Sequence, residues 1–208
     1  MQFYELRANE FSKTRGYIWP CVKYYLDKNA NKNNSLIELG CGNGKNLKYA
    51  INNGYNIDNT LGIDNSNSLT NICYKLGLNV ILGDICNLNF INQQFDNVLC
   101  IAVLHHLSTD KLRQCAFHNL YKLCKKGGSI IITVWSFESE WLGITCKYKR
   151  KFTPGDNIIY WKHRDERYYY IFTQEMLITF IENEKLLLDF TYTIEWEEQN
   201  WVITILKI

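Results

Sequence analysis

"LIELGCGNGKNLKYAINNG" (36–54) decides the fold of this chain. It opens on an apolar run that predicts a strand over 35–39. It then passes through glycines 40, 42 and 44, and places Leu47, Ala50 and Ile51 at helical spacing before Gly54 stops the pattern. A strand that turns through glycines directly into a helix gathers backbone N–H groups at the helix start, where a ligand can approach bare backbone. Two familiar versions of such a turn are excluded. The third glycine of a GxGxxG fingerprint would fall on Lys45, and Asn46 stands where a phosphate loop needs Ser or Thr after its lysine.

The same alternation continues downstream. TLGID (60–64) reads as a second strand, NSLTNICYKLG (67–77) as a helix, LNVILGDI (78–85) as a third strand and FDNVLCIAVL (95–104) as a fourth. In 110–124, Leu112, Cys115, Ala116, Leu120, Leu123 and Cys124 share one helical stripe, and KKGG then reads as a cationic last turn with a glycine stop. SIIITVWS (129–136) is a fifth strand. Strand and helix alternating over 35–135 predict a parallel sheet flanked by helices. Two amphipathic segments, 3–12 and 17–28, precede this core, and a basic, aromatic loop over 136–173 follows it. A helix over 174–184 and two apolar strands facing each other across 197–199 complete the chain as an antiparallel hairpin. The expectation is one α/β domain: N-terminal lid helices (1–34), core (35–135), substrate loop (136–173), last helix and hairpin (174–208).

A length of 208 residues suits a single core, and 47% apolar with 21% charged residues excludes global disorder. The formal charge of +2 is unevenly spread. Residues 147–167 hold seven Lys/Arg against three acids, a local +4 that leaves −2 for the remainder. Eight cysteines are scattered through apparent core elements with no CxxC pair, so neither a disulfide framework nor a zinc site is expected, and the thiols read as buried in a reducing compartment. With no apolar leader and no run near the ~20 residues of a membrane helix, a soluble cytoplasmic protein is expected, with nuclear presence left open.

The acid before the glycines, Glu38, and the E-x-G-x-G-x-G spacing resemble the motif of the Rossmann-like, class I S-adenosylmethionine-dependent methyltransferases. The resemblance implies a mostly parallel seven-stranded sheet, with Gly40 and Gly42 lying against the cofactor's methionyl end. The later strand ends agree in order. Asp64, followed by Asn65, ends the second strand where a carboxylate can accept ribose hydroxyls. Asp84 and Ile85 end the third and offer an acceptor and an apolar face to an adenine. Ile101 and Ala102 lie on the fourth, beneath the methyl donor.

A narrower resemblance rests on "IAVLHHLS" (101–108), "FSKTRGYIWP" (11–20), "VWSFE" (134–138), "RYYYIF" (167–172) and "NWVITI" (200–205). Together these resemble the eukaryotic tRNA wobble-uridine carboxymethyl methyltransferases, which also occur as the methyltransferase half of an AlkB-related dioxygenase. The likeness runs from about residue 4 to the C-terminus. It implies methylation of the carboxylate of 5-carboxymethyluridine in the tRNA anticodon stem-loop, and a heterodimer with a small zinc-binding activator subunit. The loop before the last helix is shorter than the family's, and Lys126-Gly127-Gly128 replaces its Pro-Gly-Gly.

The chemistry is consistent with the residue types. A carboxylate with a pKa near 4 is already ionised at neutral pH, so attack on a sulfonium methyl needs in-line alignment and a dehydrated anion rather than a base. Candidates to hold that anion are Arg15, Arg167, His105 and His106. Three of the four have a plainer alternative. Arg15, with Tyr4 beside it, could instead grip the cofactor's own carboxylate, His105 could be a satisfied histidine packed under the next helix, and Arg167 could be a surface cation over a strand. Tyr148, Phe152, Tyr160 and Trp161, interleaved with Lys149, Arg150 and Lys151, suit phosphates and an unstacked loop base. The third strand, as the sheet edge, carries "LNVILG" (78–83) with no lysine or proline guarding it, which points to the activator's docking place. Two other readings compete: a small-molecule carboxyl or hydroxyl methyltransferase, and a non-catalytic RNA-binding subunit.

Overall fold

The computed structural model describes residues 2–139, 152–161 and 165–208. The basic-segment residues Lys147, Tyr148, Lys149, Arg150, Lys151, Lys162 and Arg164, and the Trp161 side chain, lie outside the described residues. Helix α1 (Gln2–Lys13) and helix α2 (Pro20–Asn29) come first. The second begins at Pro20 rather than near residue 17, because proline has no N–H to leave unpaired and its fixed φ suits the first helical position. The core alternates β1 (Leu36–Leu39), α3 (Lys45–Asn52), β2 (Thr60–Asp64), α4 (Asn67–Lys75), β3 (Val80–Leu82), β4 (Phe95–Ile101), α5 (Asp110–Leu123) and β5 (Cys124–Trp135). A hairpin of β6 (Gly155–Trp161) and β7 (Asp165–Ile171), helix α6 (Gln174–Lys185), β8 (Phe190–Glu197) and β9 (Asn200–Lys207) follow.

Seven strands form one sheet in the order β3-β2-β1-β4-β5-β9-β8. The first five run parallel; β9 pairs antiparallel with β5, and β8 with β9. Alternation along each strand feeds two cores. Val98, Cys100, Ile130, Ile132 and Val134 pack with Phe117 and Leu120 of α5 and Leu177 and Ile181 of α6. Leu36, Leu99 and Ile131 pack with Val22 and Leu26 of α2 and Leu47 and Ala50 of α3. Burial on both faces explains why these strands read as continuous apolar runs. The seven described cysteines are free thiols. Among the described residues no helix is long and apolar enough to cross a membrane.

Three details differ from the sequence reading. The 110–124 helix ends one residue early, and Lys125, Lys126, Gly127 and Gly128 open β5 instead of closing the helix. They form an irregularity where the β4–β5 register shifts between Phe95 and Asn97. A Cβ on Gly128 would meet Asp96 O at 2.8 Å, so the close backbone approach requires glycine. The third strand is only three residues long, since Leu78 N closes α4 on Cys73 O and Asp84 already begins a turn. Third, the loop expected over 136–173 contains the β6–β7 hairpin.

The hairpin stands on a closed stem. Ser136 bridges Phe172, and Phe137 N donates to Phe172 O at 2.8 Å. The Glu138 carboxylate accepts from Ser136 Oγ at 2.7 Å, Gln174 N at 3.0 Å and Trp201 Nε1 at 3.1 Å, tying both ends of the excursion to β9.

Candidate active site

Strand order reverses between β1 and β4, so the segments leaving their carboxyl ends diverge and open a crevice, the usual ligand position in such sheets. The glycine turn leaves β1 there with φ of +77° at Gly40, +57° at Gly42 and +73° at Gly44. Gly40 admits no side chain, because a Cβ would lie 2.3 Å from Val103 Cγ2 on the segment leaving β4. Gly42 differs: a Cβ there would meet nothing within 4 Å, so that face of the turn is open to a ligand.

Acids surround the turn. Asp64, at the end of β2, accepts from Gly42 N at 2.8 Å through Oδ2 and from Ser66 N at 2.9 Å through Oδ1. Burial raises its pKa against those hydrogen bonds and a further one from the Asn65 backbone. Glu38 is 1% exposed. Its Oε1 accepts from Asn46 Nδ2 at 2.6 Å, and its Oε2 has no partner. Burial pushes this carboxyl up to about 8, opposed by the Asn46 hydrogen bond and the Lys45 charge. Buried, half-satisfied and beside an open cradle, it suits a cationic ligand group.

At the end of β4, Ile101 is buried and Ala102 takes a left-handed φ of +58°, a conformation that costs a non-glycine residue roughly 1 kcal/mol or more. Ala102 N is held by Thr133 Oγ1 at 2.9 Å. The chain then makes a single tight helical turn, Leu104–His106, which presents the paired histidines on different sides. His105 is 0% exposed and packs against the stacked Trp135–Tyr169 pair, with ring centroids 5.6 Å from Trp135 and 5.2 Å from Tyr169. Trp135 N donates to its Nδ1 at 3.2 Å, which leaves the proton on Nε2, and that N–H is buried without a partner. Burial holds His105 well below the usual imidazole range. His106 donates through Nδ1 to Tyr168 O at 3.1 Å and accepts through Nε2 from the Tyr4 hydroxyl at 2.9 Å. Burial takes it down to about 4, so both rings are neutral at physiological pH.

Arg167 on β7 is 7% exposed. Its guanidinium lies over the Phe3 ring at 5.0 Å and the Tyr169 ring at 5.1 Å, and its Nε has no partner. Among the described residues it forms no ion pair. The period of two in Arg167-Tyr168-Tyr169-Tyr170-Ile171 turns Arg167, Tyr169 and Ile171 inward. Its charge lowers the pKa of Tyr4, whose value is raised overall by burial, and Arg15 contributes in the same sense.

Helix α1 covers this end of the sheet. Its Glu5 carboxylate accepts from Ser66 Oγ at 2.8 Å, Ser68 N at 3.0 Å and Ser68 Oγ at 3.0 Å, and its Arg7 Nε donates to Asp165 at 3.0 Å. Those hydrogen bonds at the α4 N-terminus hold the Glu5 carboxyl below its ordinary range. Tyr4, His105, His106 and Arg167 thus come together as one cluster, with Arg15 near it over the Phe11 ring at 5.2 Å. Asn65 is exposed at the β2 end, Asp84 accepts from Cys86 N at 2.8 Å while remaining exposed, and Ile85 is buried. Tyr169 and Trp135, the walls around His105, were not singled out in the sequence; the inward phase of the RYYYI alternation is the signal that finds Tyr169.

A doubly wound sheet with an acid-led glycine turn at its switch point defines a class I methyltransferase. Residues 37–132 match the family described as "Methyltransferase domain". The chain is 31% identical over 185 residues to a putative methyltransferase of Encephalitozoon cuniculi, covering 85% of this chain and 81% of that one. It therefore belongs to the S-adenosylmethionine-dependent methyltransferases. It is also 35% identical over 160 residues to the tRNA (carboxymethyluridine(34)-5-O)-methyltransferase of Arabidopsis thaliana, covering 73% of this chain and 38% of that relative's length. The resemblance read from the sequence holds. The crystal structure of the PH0226 protein of Pyrococcus horikoshii shares the fold, with a TM-score of 0.73 at 18% identity over 100% of this chain and 99% of that one.

Proposed function

We propose that this protein methylates the carboxylate of 5-carboxymethyluridine at the wobble position of tRNA, forming the methyl ester. The observation that carries the reading is Arg167, a buried cation without an acid among the described residues, beside a neutral histidine whose Nε2–H is also unpartnered. Unpaired buried charge is costly, and a ligand anion is the natural partner. The substrate named for the Arabidopsis relative carries such a carboxylate.

S-adenosylmethionine supplies an electrophilic methyl group on sulfur. The chain's residues align and dehydrate the incoming oxygen. Arg167 and His105 donate to the substrate carboxylate, which is ionised without a base at neutral pH. Both nitrogens of His106 are engaged, so it fixes Tyr4 and thereby α1 over the site. Glu38 and the open face of Gly42 receive the cofactor's amino acid end, with Gly40 shaping the turn. Asp64 and Asn65 would hold the ribose, Asp84 and Ile85 the adenine, and Ile101 and Ala102 would lie by the methyl-bearing sulfur. Arg15 and Tyr4 close from above, Arg15 on a carboxylate of cofactor or substrate.

A small zinc-binding activator subunit docks on the free edge of β3. Ile81, Leu82 and Phe90 are exposed there, and Leu82 is 50% accessible, an apolar edge that wants a strand or a cover.

The test is transfer of a labelled methyl group to tRNA lacking the endogenous ester, with and without the zinc-binding subunit, followed by nucleoside analysis. Label in 5-methoxycarbonylmethyluridine that disappears on anticodon cleavage is the expected result. Absence of transfer with the subunit present overturns the reading, and transfer to free small carboxylic acids alone favours a small-molecule enzyme.

A further inference from the structure

Two residues of the glycine turn do work that the motif does not account for. Lys45 occupies the first position of α3, where the positive end of the helix dipole disfavours a cation. It departs from α3 toward the N-terminal segment, donating through Nζ to Tyr17 O at 2.7 Å and lying over the Trp19 ring at 5.6 Å. Asn43, held between two left-handed glycines, turns its amide the same way. Its Nδ2 donates to Ser12 Oγ at 3.1 Å, with Ser12 O and Arg15 O each at 3.4 Å. These hydrogen bonds end on 12–17, the last turn of α1 together with the start of the link to α2 that carries Arg15. Apart from them, the hydrogen bonds of Thr14 and Arg15 among the described residues stay within the link and the end of α1.

We propose that Asn43 and Lys45 are positioning residues, a clasp by which the cofactor turn holds the 12–17 link, and with it Arg15, over the crevice. The glycines set the path of the turn, and the two side chains between and after them report that path to the lid. A ligand that orders the turn tightens the clasp, and a lid held down in turn stabilises the ordered turn, because coupling between two sites is reciprocal. This rests on the adenosylmethionine reading of the turn and on nothing about RNA. The clasp bonds join the chain only to itself, so they can be tested without cofactor.

The experiment is limited trypsin digestion of the full chain. Cleavage after Lys13 and after Arg15 is followed by mass spectrometry, without ligand and with saturating S-adenosylhomocysteine, in wild type, Asn43→Ala, Lys45→Ala and Lys45→Arg. In the unliganded chain, Asn43→Ala and Lys45→Ala should each speed cleavage at those two bonds about tenfold without changing the thermal melting midpoint. Lys45→Arg, which still reaches a carbonyl, should restore slow cleavage. Ligand should protect the two bonds in wild type and Lys45→Arg and fail to protect them in the alanine variants, whose KM for S-adenosylmethionine rises more than kcat falls. Cleavage rates equal to wild type in both alanine variants without ligand would overturn the clasp. If wild type binds no S-adenosylhomocysteine, the cofactor reading falls, and the unliganded rates still decide the clasp.

Discussion

Replacing Arg167 with methionine should make the protein more stable and nearly inactive. The guanidinium is buried, has no acid partner among the described residues, and leaves Nε unsatisfied. Desolvating an ion costs several kcal/mol in real proteins. Against that stand two ring contacts, at 5.0 and 5.1 Å, each worth about 0.5–2 kcal/mol. Methionine keeps the packing against Phe3 and Tyr169 and removes the charge, so a gain of about 1–2 kcal/mol is expected. For a chain of this size that is a rise of roughly 2–8 °C in Tm. The same change removes a charge-assisted hydrogen bond to substrate worth about 1.5–3 kcal/mol, a loss of roughly 10–150-fold in kcat/KM for tRNA. S-adenosylhomocysteine affinity, measured by calorimetry, should stay within twofold. A lower Tm together with kcat/KM within threefold of wild type would refute the idea that Arg167 is held ready for an anion.

Glu38 yields a pH signature. Its folded pKa, raised by burial to about 8, exceeds the ordinary value of 4.5, so the folded state binds the extra proton and stability falls as pH rises through that interval. Below pH 6.5 the depressed histidines act oppositely, because the unfolded chain then binds their protons, so the clean window is pH 6.5–8. There urea melts should lose on the order of 1 kcal/mol per pH unit, and Glu38→Gln should flatten the slope; an unchanged slope in the variant would contradict this. Gly42→Ala should cost only about 1 kcal/mol of stability yet lower S-adenosylhomocysteine affinity at least tenfold, whereas Gly40→Ala, forced onto Val103, should destabilise more; equal melting of the two would be inconsistent with the geometry. Leu82→Lys should abolish co-purification with the zinc-binding subunit while leaving S-adenosylhomocysteine binding intact, and retained co-purification removes β3 as the docking edge. Alanine at Lys149, Arg150 and Lys151 together should weaken tRNA binding and flatten its salt dependence; unchanged binding at low salt would retire that contact.

The parallel core was legible because its central strands are buried on both faces and its first three carry an acid at or just beyond their carboxyl ends, so apolar runs and those carboxylates mark length and direction together. Glu38, Asp64 and the glycines could be found that way. The β6–β7 hairpin was not, since its buried face carries an arginine and a tyrosine, and polar residues at alternating positions look like a solvated loop until the cavity they enclose is seen. The Lys125–Gly128 stretch misled for a related reason: cations followed by glycines end many helices, but here Gly128 admits the Asp96 carbonyl of a neighbouring strand, a contact about 30 residues away in sequence. Composition could not decide the histidine pair. Adjacent residues in a tight turn diverge, and only the positions of Trp135 N, Tyr168 O and the Tyr4 hydroxyl reveal which ring keeps a free N–H.

The stem at Ser136, Phe137 and Phe172 has an evolutionary consequence. Because the chain leaves β5 and returns at nearly the same point, clamped by Glu138, whatever lies beyond can lengthen, shorten or be exchanged with little effect on the sheet. Such a cassette lets one methyl-donating chassis be refitted for new acceptors. Grafting the hairpin of a related enzyme onto this stem is accordingly the shortest route to a chimera with altered acceptor choice.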